Sequence, residues 1–311
     1  MDARILGIHD TAMAAAASYG GALSRRRLRE LGISRDEVRL QVRQRRWVAH
    51  GRWTIATHTG ELSTLARRWR AVWEVGERIA VLDGPTALQQ SGLERWKDDA
   101  IHVSVPHTAA VRPVDGVVVH KVRSRPESLP LRGDLPTVRP APAAVRAAHW
   151  AVSDRQAALV MVMPVQQRLC MGTEILEAPQ MVRGRTRRAF IARVAGDIAL
   201  GAQALGELDF AVVCRQYGLP EPSRQVIRHG ARGRIYLDVR WECGLVGEID
   251  GAGHRWGLAV MDDNLRQNAL SIQGDTVLRI DLLGLRIAEE QFMRQVVTAH
   301  ARLSGGVRRA G

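Results

Sequence analysis

Lysine is almost missing from this chain. Of its 45 basic residues only Lys97 and Lys121 are lysines, and the rest are arginines. Cysteine is scarce too. Cys170, Cys214 and Cys243 are odd in number and scattered, which spells out neither a disulfide framework nor a thiolate metal site and points to a reducing cytoplasm. No apolar run approaches the ~18–20 residues that a membrane-spanning helix needs. The opening stretch MDARILGIHDTAMAAAASYGG carries acids ahead of its alanines and no small-residue cleavage pattern, so it reads as a helix rather than a signal peptide.

What remains is ample for folded domains. The chain has 311 residues, 46% hydrophobic and 25% charged, enough for two or three cores. The formal charge is 45 − 32 = +13. A balance this positive favours an anionic partner, most often nucleic acid. Arginine suits that partner because its planar fork matches phosphate and carboxylate oxygens. An arginine-rich genome bias is the alternative source of the same excess.

Residues 21–56 carry three linked signals. SRRRLRELG (24–32) predicts a short helix with a Ser cap and a Gly stop. ISRDEVRLQVRQRRW (33–47) predicts a second helix capped by Ser34, with Asp36 and Glu37 in its first turn. RRWVAHGRWTIA (45–56) predicts a hairpin turning at His50-Gly51. Helix, turn, helix and hairpin is the winged helix-turn-helix order. The second helix places Arg35, Arg39 and Arg43 in one row, apart from the apolar Val38 and Val42. With Arg46 and Arg52 on the hairpin, these are the candidate DNA-binding residues; a solvated charged face is the plainer alternative.

The middle of the chain holds structure without nameable chemistry. ELSTLARRWRAVWEV (61–75) is amphipathic, with Trp69 and Trp73 expected in a core. Strands are expected at 79–82, 101–105 and 117–122, with a short helix at 85–92. His102, His107 and His120 show no ligand spacing and are taken as structural. Residues 126–142 hold five of the twelve prolines and predict an extended connector. Helices follow over 142–169, then a basic group at Arg183, Arg185, Arg187 and Arg188.

The C-terminal third alternates in type. A helix is expected near 203–217, strands at 234–241, 245–250 and 276–281, and helices at 261–274 and 288–303. In LVGEID, Glu248 and Asp250 share one strand face. If the preceding loop is Glu242-Cys243-Gly244, Asp238 lies opposite Glu248; a loop one residue shorter sends Asp238 to the other face. Neighbouring carboxylates need a cation, a shared proton or an arginine partner. Mg²⁺ accepts such a site, and Arg266 and Arg279 are the candidate clamps in the alternative.

RIYLDVRW, GEIDGAGH and DNLRQNALSIQGDTVLRI, in that order, resemble a bacterial domain family of unknown function. It is related to the very-short-patch-repair endonucleases and the PD-(D/E)XK nuclease fold. The likeness runs from about Leu205 to His300. GISRDEVRLQVRQRRWVAHGRWTIA and VLDGPTALQQSGL resemble the winged-helix part and following helix of AbiEi-type antitoxins. The first resemblance implies Asp238 and Glu248 as metal carboxylates. Asp250 stands where that pattern has Lys, and becomes a ligand or base. Glu207 would complete the site, His254 would donate a proton or contact phosphate, and Arg266 and Arg279 would stabilise developing charge.

The expectation is therefore an α/β, or α+β multidomain, chain. Its parts are a winged helix over 1–58, a mixed segment over 59–125, a connector with helices over 126–190, an endonuclease-like domain over 191–303 and a tail over 304–311. The expected activity is Mg²⁺- or Mn²⁺-dependent cleavage of DNA. The alternative is a DNA-binding regulator or antitoxin-like protein that uses the nuclease fold as scaffold, with a cognate toxin or defence-system protein as partner.

Overall fold

In the computed structural model the chain is described over residues 3–123, 135–182, 184–200, 210–229, 235–250, 264–265, 268 and 277–307. It is a mixed assembly of helices and three small sheets, divided into two units at the Arg139–Pro140 boundary. No described helix is long and apolar enough to cross a membrane.

The first unit opens with α1 (Ala3–Ala16), β1 (Ala22–Ser24), α2 (Arg25–Glu30), α3 (Arg35–Arg43), β2 (Val48–Ala49) and β3 (Thr54–Ala56). The strands form an antiparallel sheet in the order β1-β3-β2. Helix, helix and hairpin thus follow in the order expected of a winged helix-turn-helix, with β2 and β3 in the place of the wing. Its helix starts follow from side-chain caps. The Ser24 hydroxyl accepts from the Arg27 amide at 3.2 Å. Ser34 and Glu37 exchange a complete capping box at 3.3 and 2.8 Å, satisfying amides that the first turn of α3 leaves without helical partners. Leu23, Leu28, Ile33, Val38, Trp47 and Ile55 close the core beneath.

The rest of this unit is α4 (Thr64–Gly76), β4 (Val81–Leu82), α5 (Gly84–Gln90), β5 (Ile101–Pro106) and β6 (Val117–Val122). The sheet order is β4-β5-β6, antiparallel then parallel. Trp69 and Trp73 are buried and stacked at 5.3 Å, as their helical spacing predicts, with Tyr19 edge-on to Trp69 at 5.1 Å. The Arg27 guanidinium lies 4.3 Å over the Tyr19 ring, so the winged-helix elements and α4 share one packed seam.

The second unit begins with α6 (Pro140–Trp150), α7 (Asp154–Gln166), α8 (Gly172–Met181) and α9 (Arg188–Leu200). Pro140 and Pro142 thus sit inside a helix, where the proline content had predicted extended chain. The reason is position: a helix's first turn has no intrahelical use for those N–H groups. A helix at Phe210–Gln216 leads into β7 (Arg224–His229), β8 (Ile235–Arg240), β9 (Val246–Asp250) and β10 (Val277–Asp281). The sheet order is β10-β9-β8-β7; β7, β8 and β9 meander antiparallel and β10 returns parallel to β9. Val239, Ile249, Leu278 and Ile280 bury one face against Phe292, Met293 and Val296 of the closing helix, Glu289–Val307. That helix takes in 304–307, which the sequence had assigned to a tail.

Candidate functional site

Two surfaces carry the residues singled out by the sequence. On the first, α3 turns Val38 and Gln41 inward and leaves Arg35, Arg39 and Arg43 exposed. The row is therefore real, with one tether: Arg39 Nη1 lies 3.0 Å from Asp36 Oδ1. Both groups are largely solvated, and such a pair is weak. Arg46 is half-buried, while Arg52 is exposed at the wing tip with its guanidinium 4.8 Å over the Trp53 ring.

The wing is held from below by α4. Arg70 Nε donates to the His50 carbonyl at 2.7 Å and its Nη1 to the Asp115 carbonyl at 3.0 Å. The Glu74 carboxylate accepts from the Arg52 amide at 2.9 Å, the Trp53 amide at 2.8 Å and the Thr54 hydroxyl at 2.8 Å. Gly51 permits this closeness. Its φ is +131°, and a Cβ there would stand 2.5 Å from the Glu74 carboxyl carbon. Burial, with Arg70 and His58 nearby, pushes the His50 pKa down.

The second surface is one face of the second unit's sheet. The Trp241 amide donates to the Leu245 carbonyl at 3.0 Å, and Gly244 takes φ +88° in the intervening loop. The loop is thus Glu242-Cys243-Gly244, and Asp238 pairs directly with Glu248. On the other side of β9, Arg279 pairs with Glu248. Asp238 is buried, with 8% of its side chain exposed, whereas Glu248 is 38% exposed.

Each of these carboxylates has a guanidinium beside it. Arg240 Nε stands 3.7 Å from Asp238 Oδ1, and Arg279 Nε stands 3.5 Å from Glu248 Oε2. Both distances exceed a good hydrogen bond and both arginines are about half exposed; the Arg279–Glu248 pair is open to water, whereas the Asp238 carboxylate facing Arg240 is buried. The backbone of Asp250 pairs with Tyr236 and Asp281. Its side chain, and the residues Glu207, His254 and Arg266, lie outside the described residues. Among the described residues no group of three His, Cys, Asp or Glu side chains is placed to hold a metal.

Sequence reasoning passed over a residue that builds this face. Asn268 is buried, and its side-chain amide donates to the Arg279 carbonyl at 2.7 Å while accepting from the Arg279 amide at 2.8 Å. Both main-chain groups of Arg279 are thereby fixed, and with them its position next to Glu248. The stretch DNLRQNALSIQG contains Asn268, but nothing in its spacing says that an amide will read the backbone of a later strand.

Two of the three histidines taken as structural are also joined. His102 Nδ1 lies 2.9 Å from His120 Nε2, and His102 Nε2 lies 3.1 Å from Asp98 Oδ2. Burial pushes the His102 pKa down, while Asp98 and Asp83 pull the other way.

No protein-family model matches the chain, and no curated protein matches it. Among solved structures it is similar to the RV2827C protein from Mycobacterium tuberculosis, with 21% identity, a TM-score of 0.34, and coverage of 60% of this chain and 76% of that one.

Proposed function

We propose that this is a DNA-binding protein that engages duplex DNA through α3 and the wing. The observation that carries the reading is the exposed row Arg35, Arg39 and Arg43 on the second helix of a winged helix-turn-helix. A helix of that kind fits the major groove, and exposed guanidinium groups replace the counterions of phosphates. The chain's excess of +13 adds long-range attraction to the same partner. The test is equilibrium binding of a labelled duplex to wild-type protein and to the triple variant Arg35→Ala, Arg39→Ala, Arg43→Ala. Loss of most affinity in the variant is expected; equal binding by the two proteins overturns the assignment to α3.

For the second unit two chemistries are proposed, each resting on its own observation. The direct pairing of Asp238 with Glu248 supports a Mg²⁺-dependent, endonuclease-like site. Mg²⁺ needs only one or two carboxylates and keeps several waters, so this donor set fits it once the two arginines swing aside. Asp238 and Glu248 would hold the ion, which when bound would supply an activated water and charge neutralisation at a phosphodiester. The ion pairs Arg240–Asp238 and Arg279–Glu248 support the other reading, in which the carboxylates are neutralised by the protein and the domain is a scaffold in a DNA-binding regulator. Plasmid nicking in Mg²⁺ or Mn²⁺ that disappears in Asp238→Ala and Glu248→Ala establishes the first reading. Absence of Mg²⁺ or Mn²⁺ binding at millimolar concentration in a calorimetric titration favours the second.

A further inference from the structure

The wing tip is built to a tighter specification than a surface hairpin requires. Four main-chain polar groups belong to the Arg52-Trp53 dipeptide, and all four are engaged. The two amides donate to Glu74 at 2.9 and 2.8 Å. The Arg52 carbonyl accepts from Arg25 Nε at 2.9 Å, and the Trp53 carbonyl accepts from the Arg25 amide at 2.8 Å. These partners come from α2 and α4, far from the wing in sequence. With its backbone fixed, the dipeptide presents its side chains outward: Trp53 is 40% exposed, and the Arg52 guanidinium lies 4.8 Å above its ring.

A lone exposed aromatic is ordinary on a surface; what sets Trp53 apart is the fixed backbone beneath it and the guanidinium held over its ring. A guanidinium held over an indole combines a phosphate-binding fork with an apolar plate that packs on a sugar or base edge. The charge pattern agrees with a polyanion as the cover, because the exposed row on α3 belongs to the same small fold. Glu74 is an acidic group at the wing that a phosphate would repel. Its carboxylate is consumed by three hydrogen bonds to the wing, a positioning task rather than a contact.

We infer that Arg52 and Trp53 form a preassembled contact unit for duplex DNA, and that Glu74 is the positioning residue that sets it. This rests on the DNA-binding reading and adds to it a contacting aromatic and the latch beneath. Fixing the unit in advance removes an ordering cost from binding. Glu74→Gln keeps the side chain's size but turns an NH₂ group towards a main-chain amide, so the latch loses at least one bond and the pair loses its mount.

The experiment uses the full chain, a labelled duplex of mixed sequence and anisotropy titrations, with thermal melting as the check on folding. Arg52→Ala/Trp53→Ala is expected to weaken binding about tenfold and to flatten the dependence on salt by about one phosphate contact. Glu74→Gln is expected to weaken it several-fold on the wild-type background and not at all on the Arg52→Ala/Trp53→Ala background, because its effect passes through that pair. A merely structural Glu74 would cost the same on both backgrounds, and that result overturns the inference, as does unchanged affinity in Glu74→Gln. In both of those cases wild-type binding leaves the DNA-binding reading standing. Absence of binding by the wild-type chain is the separate result that removes the reading itself.

Discussion

Arginine does opposite work in the two units. On α3, Arg35, Arg39 and Arg43 stand exposed, with Asp36 beside Arg39. On the sheet of the second unit, Arg240 and Arg279 lie beside Asp238 and Glu248. The first arrangement keeps positive charge available for an outside anion; the second spends it on the protein's own carboxylates. A chain with 45 basic residues and almost no lysine therefore cannot be read by counting guanidinium groups. What differs is the carboxylate: Asp36 is 87% exposed beside Arg39, whereas Asp238 and Glu248 are 8% and 38% exposed beside their arginines.

The comparison breaks most sharply at Asn268. Replacing it by Ala takes away the side chain that holds both the amide and the carbonyl of Arg279. A loss of about 1–2 kcal/mol is expected in denaturant unfolding, since two part-buried hydrogen bonds are lost together. A loss below about 0.5 kcal/mol would mean that β10 does not depend on this amide. By contrast, the triple Arg→Ala variant on α3 is expected to melt within a few degrees of wild type, because its side chains are exposed.

Arg279→Ala sharpens the comparison from the other side. The pair is half in water, so the stability lost is about 0.5–1 kcal/mol. If the carboxylates accept Mg²⁺, removing the competing guanidinium raises the metal's stabilising effect. The midpoint of the variant should then rise more in millimolar Mg²⁺ than that of wild type. Equal shifts in the two proteins would favour the scaffold reading.

The smallest expected effect is on pH dependence. His50, His102 and His149 all have pKa values pushed below the ordinary histidine value, with burial the largest cause in each. A base that is harder to protonate when folded binds more protons in the unfolded chain. Its stabilising effect is complete above the unfolded value near 6.5 and fades as pH falls below it towards the folded values. The melting temperature is thus expected to fall between pH 7.5 and 5.5, and a flat or rising profile would contradict the assignment.

Much of this was legible before any coordinates. Ser34 with Glu37 announced the start of α3, and the spacing of Arg35, Arg39 and Arg43 announced its row. The placing of Asp238 opposite Glu248 hung on a loop length that the sequence left open; the structure has the three-residue loop, with Gly244 left-handed. Other features were invisible for physical reasons. β1 is three residues long and β7 has arginine and histidine at its ends, so neither showed a strand's apolar alternation. Glu74 acts on amides about twenty residues away and Asn268 on a strand eleven residues on. A side chain that reads backbone leaves no pattern in the side chains that it reads.

DNA engagement by the helix row is tested most directly by the affinity of the wild-type chain for duplex DNA measured across salt concentrations. Three or more phosphate contacts predict a log–log slope of about −2.7 or steeper, reduced by roughly two to three in the triple Arg→Ala variant. A slope near zero, or the same slope in both proteins, would contradict it.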